Sequence, residues 1–386
     1  MDIKMGIAKA GIKPSGDYDI LVLKFKPSVY SVVLTQNSLA AAPVIYDRLI
    51  ASMQEEISAI IVNSGNANAA TGEEGLRNAE TMAEIVAENL DINAQEVMVF
   101  STGVIGVQLP MDKVENGINE ACSNLKPFEL EKSAKAIMTT DSFPKYYETT
   151  GEINGKTFTI KGIAKGAGMI HPNMATMLAY IFTDVKIDKH LLDKTTKIVA
   201  DRSFNSIDVD GCESTNDSFL VVATGESEVK ITNENRTYFA RKLLEVATQL
   251  AKMIVKDGEG ATKLIEINIY EAFDKEEAKK IAEAIALSNL FKTAMFGNDP
   301  NWGRILSAVG QLHLDIDFNK VKLYLGDFLL YAGEPKNFDR EKAVKYLKNN
   351  KEVKIDLYLG RGDAQWTYYT CDLTYKYVEI NAEYTT

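Results

Sequence analysis

Lys165-Gly166-Ala167-Gly168-Met169-Ile170-His171-Pro172-Asn173-Met174-Ala175-Thr176-Met177-Leu178 places a small residue directly before a threonine. The threonine stands at the mouth of a continuous apolar run, Met177 to Phe182, which reads as a central strand buried on both faces. Such a junction can cut itself. If the Thr176 hydroxyl attacks the Ala175 carbonyl, the peptide becomes an ester and water releases it. Thr176 then becomes a new N-terminus that carries a nucleophile and its own base. A threonine hydroxyl is a weak nucleophile, and an α-amino group with a pKa of roughly 7.7–8.0 is partly deprotonated near neutral pH and close enough to take its proton. Taken alone, an Ala-Thr pair after a glycine-rich turn is also an ordinary strand start.

Outward from this junction, short strands and amphipathic helices mix without strict alternation, a pattern of the α+β class. Upstream, strands are expected at Ile20 to Leu23, Val32 to Leu34, Ile57 to Val62 and Val97 to Ser101, and around Tyr147 and Phe158. A helix opens after Thr71, with Thr71 as N-cap and Glu74 closing a capping box. Downstream, helices near 189–204, 235–255 and 275–288 separate strands near 219–223 and 264–270. After Phe291 the chain is rich in strands, ending with Trp366 to Ile380. A boundary is expected near residue 280, with a main unit over 1–280, a smaller lobe over 281–370, and a C-terminal strand and tail over 371–386.

The 386 residues carry a formal net charge of −11, which argues against a nucleic-acid partner. No apolar run approaches the length of a membrane span, and Met1 to Gly6 has neither signal- nor transit-peptide character, so a cytoplasmic location is expected. Cys122, Cys212 and Cys371 are scattered without metal-ligand spacing, and three histidines argue against a His-based metal site, so no metal and no bound cofactor are expected. Asp257-Gly258-Glu259-Gly260-Ala261-Thr262-Lys263 lacks the spacing of a phosphate loop, and Asp208-Val209-Asp210-Gly211 lacks that of a calcium loop.

The segment around Thr176 closely resembles the cleavage and nucleophile segment of the ornithine acetyltransferase family, which includes bifunctional glutamate N-acetyltransferases of arginine biosynthesis. The resemblance runs through Asn63 to Asn68, Ser101 to Gly106, Met138-Thr139-Thr140-Asp141, Asp257 to Lys263, Gly297 to Arg304 and Asn381 to Thr386, in that order. It implies an α/β/β/α sandwich of the N-terminal-nucleophile-like type with a smaller C-terminal α/β lobe. It also implies cleavage between Ala175 and Thr176 into chains 1–175 and 176–386, which associate as a heterotetramer of two copies of each.

Acyl transfer through Thr176 passes a tetrahedral oxyanion and calls for preorganised donors. Thr102 and Gly103, at a strand end, are the candidates: the threonine adds a hydroxyl, and the glycine lets backbone approach the substrate. The resemblance further implies substrate contacts from Thr139, Lys165, Thr176, Glu259, Asn381 and Thr386. Thr140 remains an alternative to Thr139. Lys165, in a glycine-flanked turn, suits a substrate carboxylate, and Glu259 suits an amino-acid ammonium. His171 reads as a positioning or packing residue, because the liberated amine already supplies the base. The implied reaction moves acetyl from N2-acetylornithine to glutamate through an acetyl-Thr176 intermediate, with acetyl-CoA left open as a second donor. The rival readings are a self-processing N-terminal-threonine aminopeptidase or amidohydrolase, and a non-catalytic ligand-binding protein whose Ala175–Thr176 bond stays intact.

Overall fold

A computed structural model of the chain describes residues 1–171 and 177–383. They form two compact units: Met1–Asn205 with Cys212–Ile254, and Ser206–Gly211 with the chain from Val255 onward. The first unit runs β1 (Lys4–Ala8), β2 (Ile20–Leu34), α1 (Ala42–Met53), β3 (Glu56–Asn66), α2 (Gly72–Leu90), β4 (Val97–Val104), α3 (Met111–Ser123), β5 (Lys126–Pro127) and α4 (Leu130–Ile137). The hairpin β6 (Lys145–Ile153) and β7 (Lys156–Lys165) follows, then β8 (Leu178–Thr183) and α5 (Lys189–Arg202). The short β9 (Ile207–Asp208) belongs to the second unit, β10 (Ser218–Ala223) returns to the first, and α6 (Arg236–Lys256) leads out of it.

The first unit holds one sheet in the order β4-β3-β2-β10-β8-β7-β6, with β1 also on β2. The two runs expected at Ile20 and Val32 are a single strand. Its register against β3 slips between Lys24 and Ser28, where Pro27 has no N–H to give to a ladder. Residues before the slip pair with β1 and β3, and residues after it pair with β10. The sheet therefore doubles over, and strands far apart along its path meet face to face: Phe100 of β4 lies against Tyr180 of β8, ring centroids 5.0 Å apart, and Phe25 of β2 against Phe182 at 6.0 Å. β8 is buried along its whole length, as its unbroken apolar run requires. On the outside, α6 presses Val246 and Leu250 toward Gly162 and Ile181. α2 buries Gly75, Ala79, Met82, Val86 and Leu90, one helical stripe. The expected capping box at α2 is absent: the Thr71 hydroxyl donates to Asn68 Oδ1 (2.8 Å) instead of receiving a helix N–H.

The second unit contains β11 (Leu264–Ala272), α7 (Lys275–Ala286), α8 (Asn289–Phe296), α9 (Trp302–Gly310), β12 (Lys322–Leu325) and β13 (Phe328–Ala332). It ends with α10 (Arg340–Asn349), β14 (Glu352–Tyr358), β15 (Ala364–Cys371) and α11 (Tyr375–Glu383). Its sheet has the order β13-β12-β14-β11-β15-β9. Ile265, Ile267 and Ile269 alternate along β11 into a core with Ile281, Ile285, Phe291, Ile355, Leu357 and Tyr368. The α+β class with two helix-flanked sheets is thus observed, but the division falls near residue 254 rather than 280. β11 and α7 belong to the second unit because β11 pairs with β14 and β15. The strand expected over 374–380 is the helix α11. The Thr374 hydroxyl accepts the Lys376 amide (3.1 Å) and starts a turn where a strand would need extended backbone.

Candidate active site

Lys165 is not in a turn. It is the last residue of β7, opposite Leu178 in the ladder with β8, and its side chain is buried. Its Nζ donates to the Thr102 hydroxyl at the end of β4 (3.1 Å) and to the Thr139 hydroxyl just after α4 (2.8 Å). Three residues singled out from the sequence therefore converge from three elements of the first unit. Of the two adjacent threonines, Thr139 makes this contact and Thr140 is exposed. Because each hydroxyl accepts from Lys165, each keeps its own proton to donate.

The electrostatic anchor of this cluster is Asp141, to which the sequence reading gave no role. It is fully buried with Lys145: Lys145 Nζ (2.6 Å) and the Gly166 amide (2.7 Å) bind one carboxylate oxygen, and the Thr139 amide (2.9 Å) binds the other. Lys165 Nζ stands 4.0 Å away. Burial alone would raise the Asp141 carboxyl, but Lys165, Lys145 and the Gly166 N–H together hold it down at about 2. Two ammoniums thus share one carboxylate, and the excess positive charge suits a carboxylate ligand. A third lysine, Lys13, gives its Nζ to the Tyr18 carbonyl (2.7 Å). Burial lowers it to about 8, Asp19 opposing and the charge of Lys165 assisting.

Gly103 has φ +136, and a Cβ there would lie 2.2 Å from the Gly65 carbonyl carbon. The close approach its missing side chain permits is to the backbone of β3. The asparagines of 63–68 hold that irregular backbone: Asn63 Nδ2 donates to Asn66 O (2.8 Å), Asn66 Nδ2 to Val107 O (3.0 Å) and Asn68 Nδ2 to Gly75 O (2.9 Å).

In the second unit, Glu259 and Asn381 meet: Asn381 Nδ2 donates to Glu259 Oε2 (2.9 Å) and to Tyr377 O (3.0 Å). Gly260, at φ +72, lets the loop lie against α11, since a Cβ there would be 2.5 Å from the Tyr377 nitrogen. Asp372 pins the same loop by accepting from the Thr262 (2.7 Å) and Lys263 (2.8 Å) amides. Ala175, Thr176 and Thr386 lie outside the described residues. No helix among the described residues is long and apolar enough to cross a membrane.

A model of the ArgJ family matches residues 4–386. The chain is 49% identical over 387 residues to the arginine biosynthesis bifunctional protein ArgJ of Aquifex aeolicus, covering all of both sequences. It is 44% identical over 407 residues to the protein of the same name from Colwellia psychrerythraea, covering all of this chain and 96% of that one. Among solved structures, the arginine biosynthesis bifunctional protein argJ of Bacillus halodurans superimposes with a TM-score of 0.51 at 40% identity, over 53% of this chain and 98% of the solved one.

Proposed function

The chain belongs to the ArgJ family, and from that premise we propose that it is a self-processing acetyltransferase that moves acetyl from N2-acetylornithine to glutamate through acetyl-Thr176. The observation that carries this reading is the buried Lys165 cluster. Lys165 binds the Thr102 and Thr139 hydroxyls while lying opposite Leu178, two residues from Thr176. Two residues of chain span at most about 7.6 Å between Cα atoms, so the covalent chain tethers the nucleophile to this cluster.

In this reading the Thr176 hydroxyl adds to the Ala175 carbonyl carbon, the Ala175–Thr176 amide bond breaks as its nitrogen takes up the hydroxyl proton, and water hydrolyses the resulting ester. The free α-amine then removes the Thr176 hydroxyl proton as the oxygen attacks the acetyl carbon of N2-acetylornithine. Ornithine leaves with that proton, and the amine of glutamate takes the acetyl from Thr176. The Thr102 hydroxyl proton and the Gly103 N–H serve the oxyanion, where one such donor is typically worth about 10²–10³ in kcat. Lys165 and Thr139 receive the substrate α-carboxylate, and the substrate contacts that the family resemblance implies for Glu259, Asn381 and Thr386 belong to the same proposal. We further assign the enzyme to the cytoplasm as a heterotetramer of two copies of each cleaved chain.

Intact-mass measurement of the purified protein tests the reading. The expected result is two chains, 1–175 and 176–386, and a single chain for Thr176→Ala. A wild-type protein that stays whole, or a Thr176→Ala variant that splits, overturns it. Glutamate acetylation assayed with N-acetylornithine and with acetyl-CoA, side by side, then decides whether the second donor is also used.

A further inference from the structure

Thr102 lies near the end of β4 and Met177 precedes β8, two strands of the doubled sheet that are not neighbours in its order. The residues entering β10 reach both. Asn216, buried, donates from Nδ2 to the Ser101 carbonyl (2.9 Å), in the peptide bond that precedes Thr102, and to the Ala67 carbonyl (2.7 Å). The next residue, Asp217, is 1% exposed and accepts the Met177 amide, in the peptide bond that follows Thr176, on its side-chain Oδ1. Its main-chain carbonyl is held by the Thr35 amide (2.9 Å), and the Ser218 amide holds the Met177 carbonyl (3.0 Å). One dipeptide thus ties the peptide before Thr102 to the peptide after Thr176 through side-chain bonds that lie outside the strand ladders.

We propose that Asn216 and Asp217 are positioning residues of the active site, which together set the distance between the oxyanion donors at Thr102–Gly103 and the nucleophile at Thr176. The proposal rests on the assignment of Thr176 above. The second carboxyl oxygen of Asp217 is buried with no hydrogen-bond partner among the described residues. Burial accordingly raises this carboxyl well above its ordinary range, with the Met177 amide and the charge of Lys165 opposing and Glu213 assisting. An asparagine amide oxygen can take the place of the Asp217 carboxyl oxygen at the Met177 N–H, while a leucine of similar shape cannot.

The test follows self-cleavage by intact mass after a pulse of cell-free synthesis, in wild type, Thr176→Ala, Asp217→Leu and Asp217→Asn. It adds steady-state kinetics of the cleaved Asn216→Ala enzyme. A misplacement of about 1 Å in the reacting groups slows reaction by about tenfold to a hundredfold. Asp217→Leu should cleave that much more slowly, and Asp217→Asn should stay within about threefold of wild type. Asn216→Ala should lower kcat by about tenfold with KM for N-acetylornithine within about twofold. Wild-type cleavage rates in a cooperatively melting Asp217→Leu, or equal slowing by both Asp217 variants, overturns the proposal. If Asp217→Leu gives no cooperative melt, the Asn216→Ala kinetics decide, and a change confined to KM overturns it. A wild-type protein that never cleaves indicts the Thr176 assignment instead.

Discussion

Asp141→Asn probes the charge arrangement under the Lys165 cluster. Asp141 and Lys145 are a fully buried pair at 2.6 Å, and Lys165 shares the same carboxylate from 4.0 Å. Asparagine keeps one acceptor oxygen for the Gly166 amide but turns its N–H₂ toward the Thr139 N–H, and it takes away the negative charge that Lys145 and Lys165 share. Removing one partner of a buried pair costs about 3–5 kcal/mol. A carboxyl held at about 2 instead of 3.8 gives an independent figure: roughly 1.36 kcal/mol per pKa unit amounts to about 2.5 kcal/mol at neutral pH. The two agree on a loss of about 3 kcal/mol from the first unit. The assay is urea unfolding in the Thr176→Ala background, followed by far-UV circular dichroism and by exchange protection of the Gly166 amide. Trp302 and Trp366, the two tryptophans of the chain, both lie in the second unit, so their fluorescence is an internal control. The sign with pH is fixed. Because the folded carboxyl is depressed, its contribution is present above the ordinary carboxyl range and is lost as pH falls toward about 2. Adding Lys145→Met to Asp141→Asn should recover about 1 kcal/mol or more, since a buried unpaired charge is removed. A single variant within about 1 kcal/mol of its parent, or a double variant less stable than the single, refutes the reasoning.

Thr102→Ala should lower kcat by about 10²–10³ while KM moves little, because its hydroxyl proton matters most when charge develops on the oxyanion; steady-state kinetics with N-acetylornithine check this, and Thr102→Ser should retain most of the rate. Truncation after Ile380 removes Asn381 and its bond to Glu259; kcat/KM for N-acetylornithine should fall about tenfold, roughly 1.4 kcal/mol, with self-cleavage unchanged by intact mass. Asp47 accepts the Val99 amide (2.9 Å) while its second oxygen is buried without a partner among the described residues. Burial thereby raises its carboxyl well above the ordinary range, so its stabilising contribution is fully present at low pH and is lost as pH rises through that raised value. Asp47→Asn should flatten the decline of the urea midpoint on the alkaline side, and an unchanged slope would show that another group titrates.

What the sequence makes legible here is what local pattern controls. β8 has six apolar or small residues without a break, so its burial on both faces follows from composition alone. The lysine at the end of β7 is legible as a ligand-binding candidate, but its environment is not. Whether it sits in a turn or at a strand end depends on a ladder with Leu178 that no local rule specifies. The same holds for the C-terminus, where Tyr375-Lys376-Tyr377-Val378-Glu379-Ile380 is rich in aromatic and β-branched residues like a strand, yet no residue of α11 is buried. Composition therefore decides nothing there, and the choice falls to the Thr374 side chain.

Asp141, Asn216 and Asp217 escape sequence reading for a different reason. Short polar residues next to threonines and glycines look like turns, and their value lies in partners 25, 115 and 40 residues away: Gly166, Ser101 and Met177. A buried carboxyl is unfavourable unless something offsets its desolvation. In Asp141 two lysines do so and hold the carboxyl low; Asp217 has the Met177 amide and the charge of Lys165 against its burial, and its carboxyl is raised. One acid stands beside the Lys165 ammonium, and the other accepts the Met177 amide at the entrance to β8.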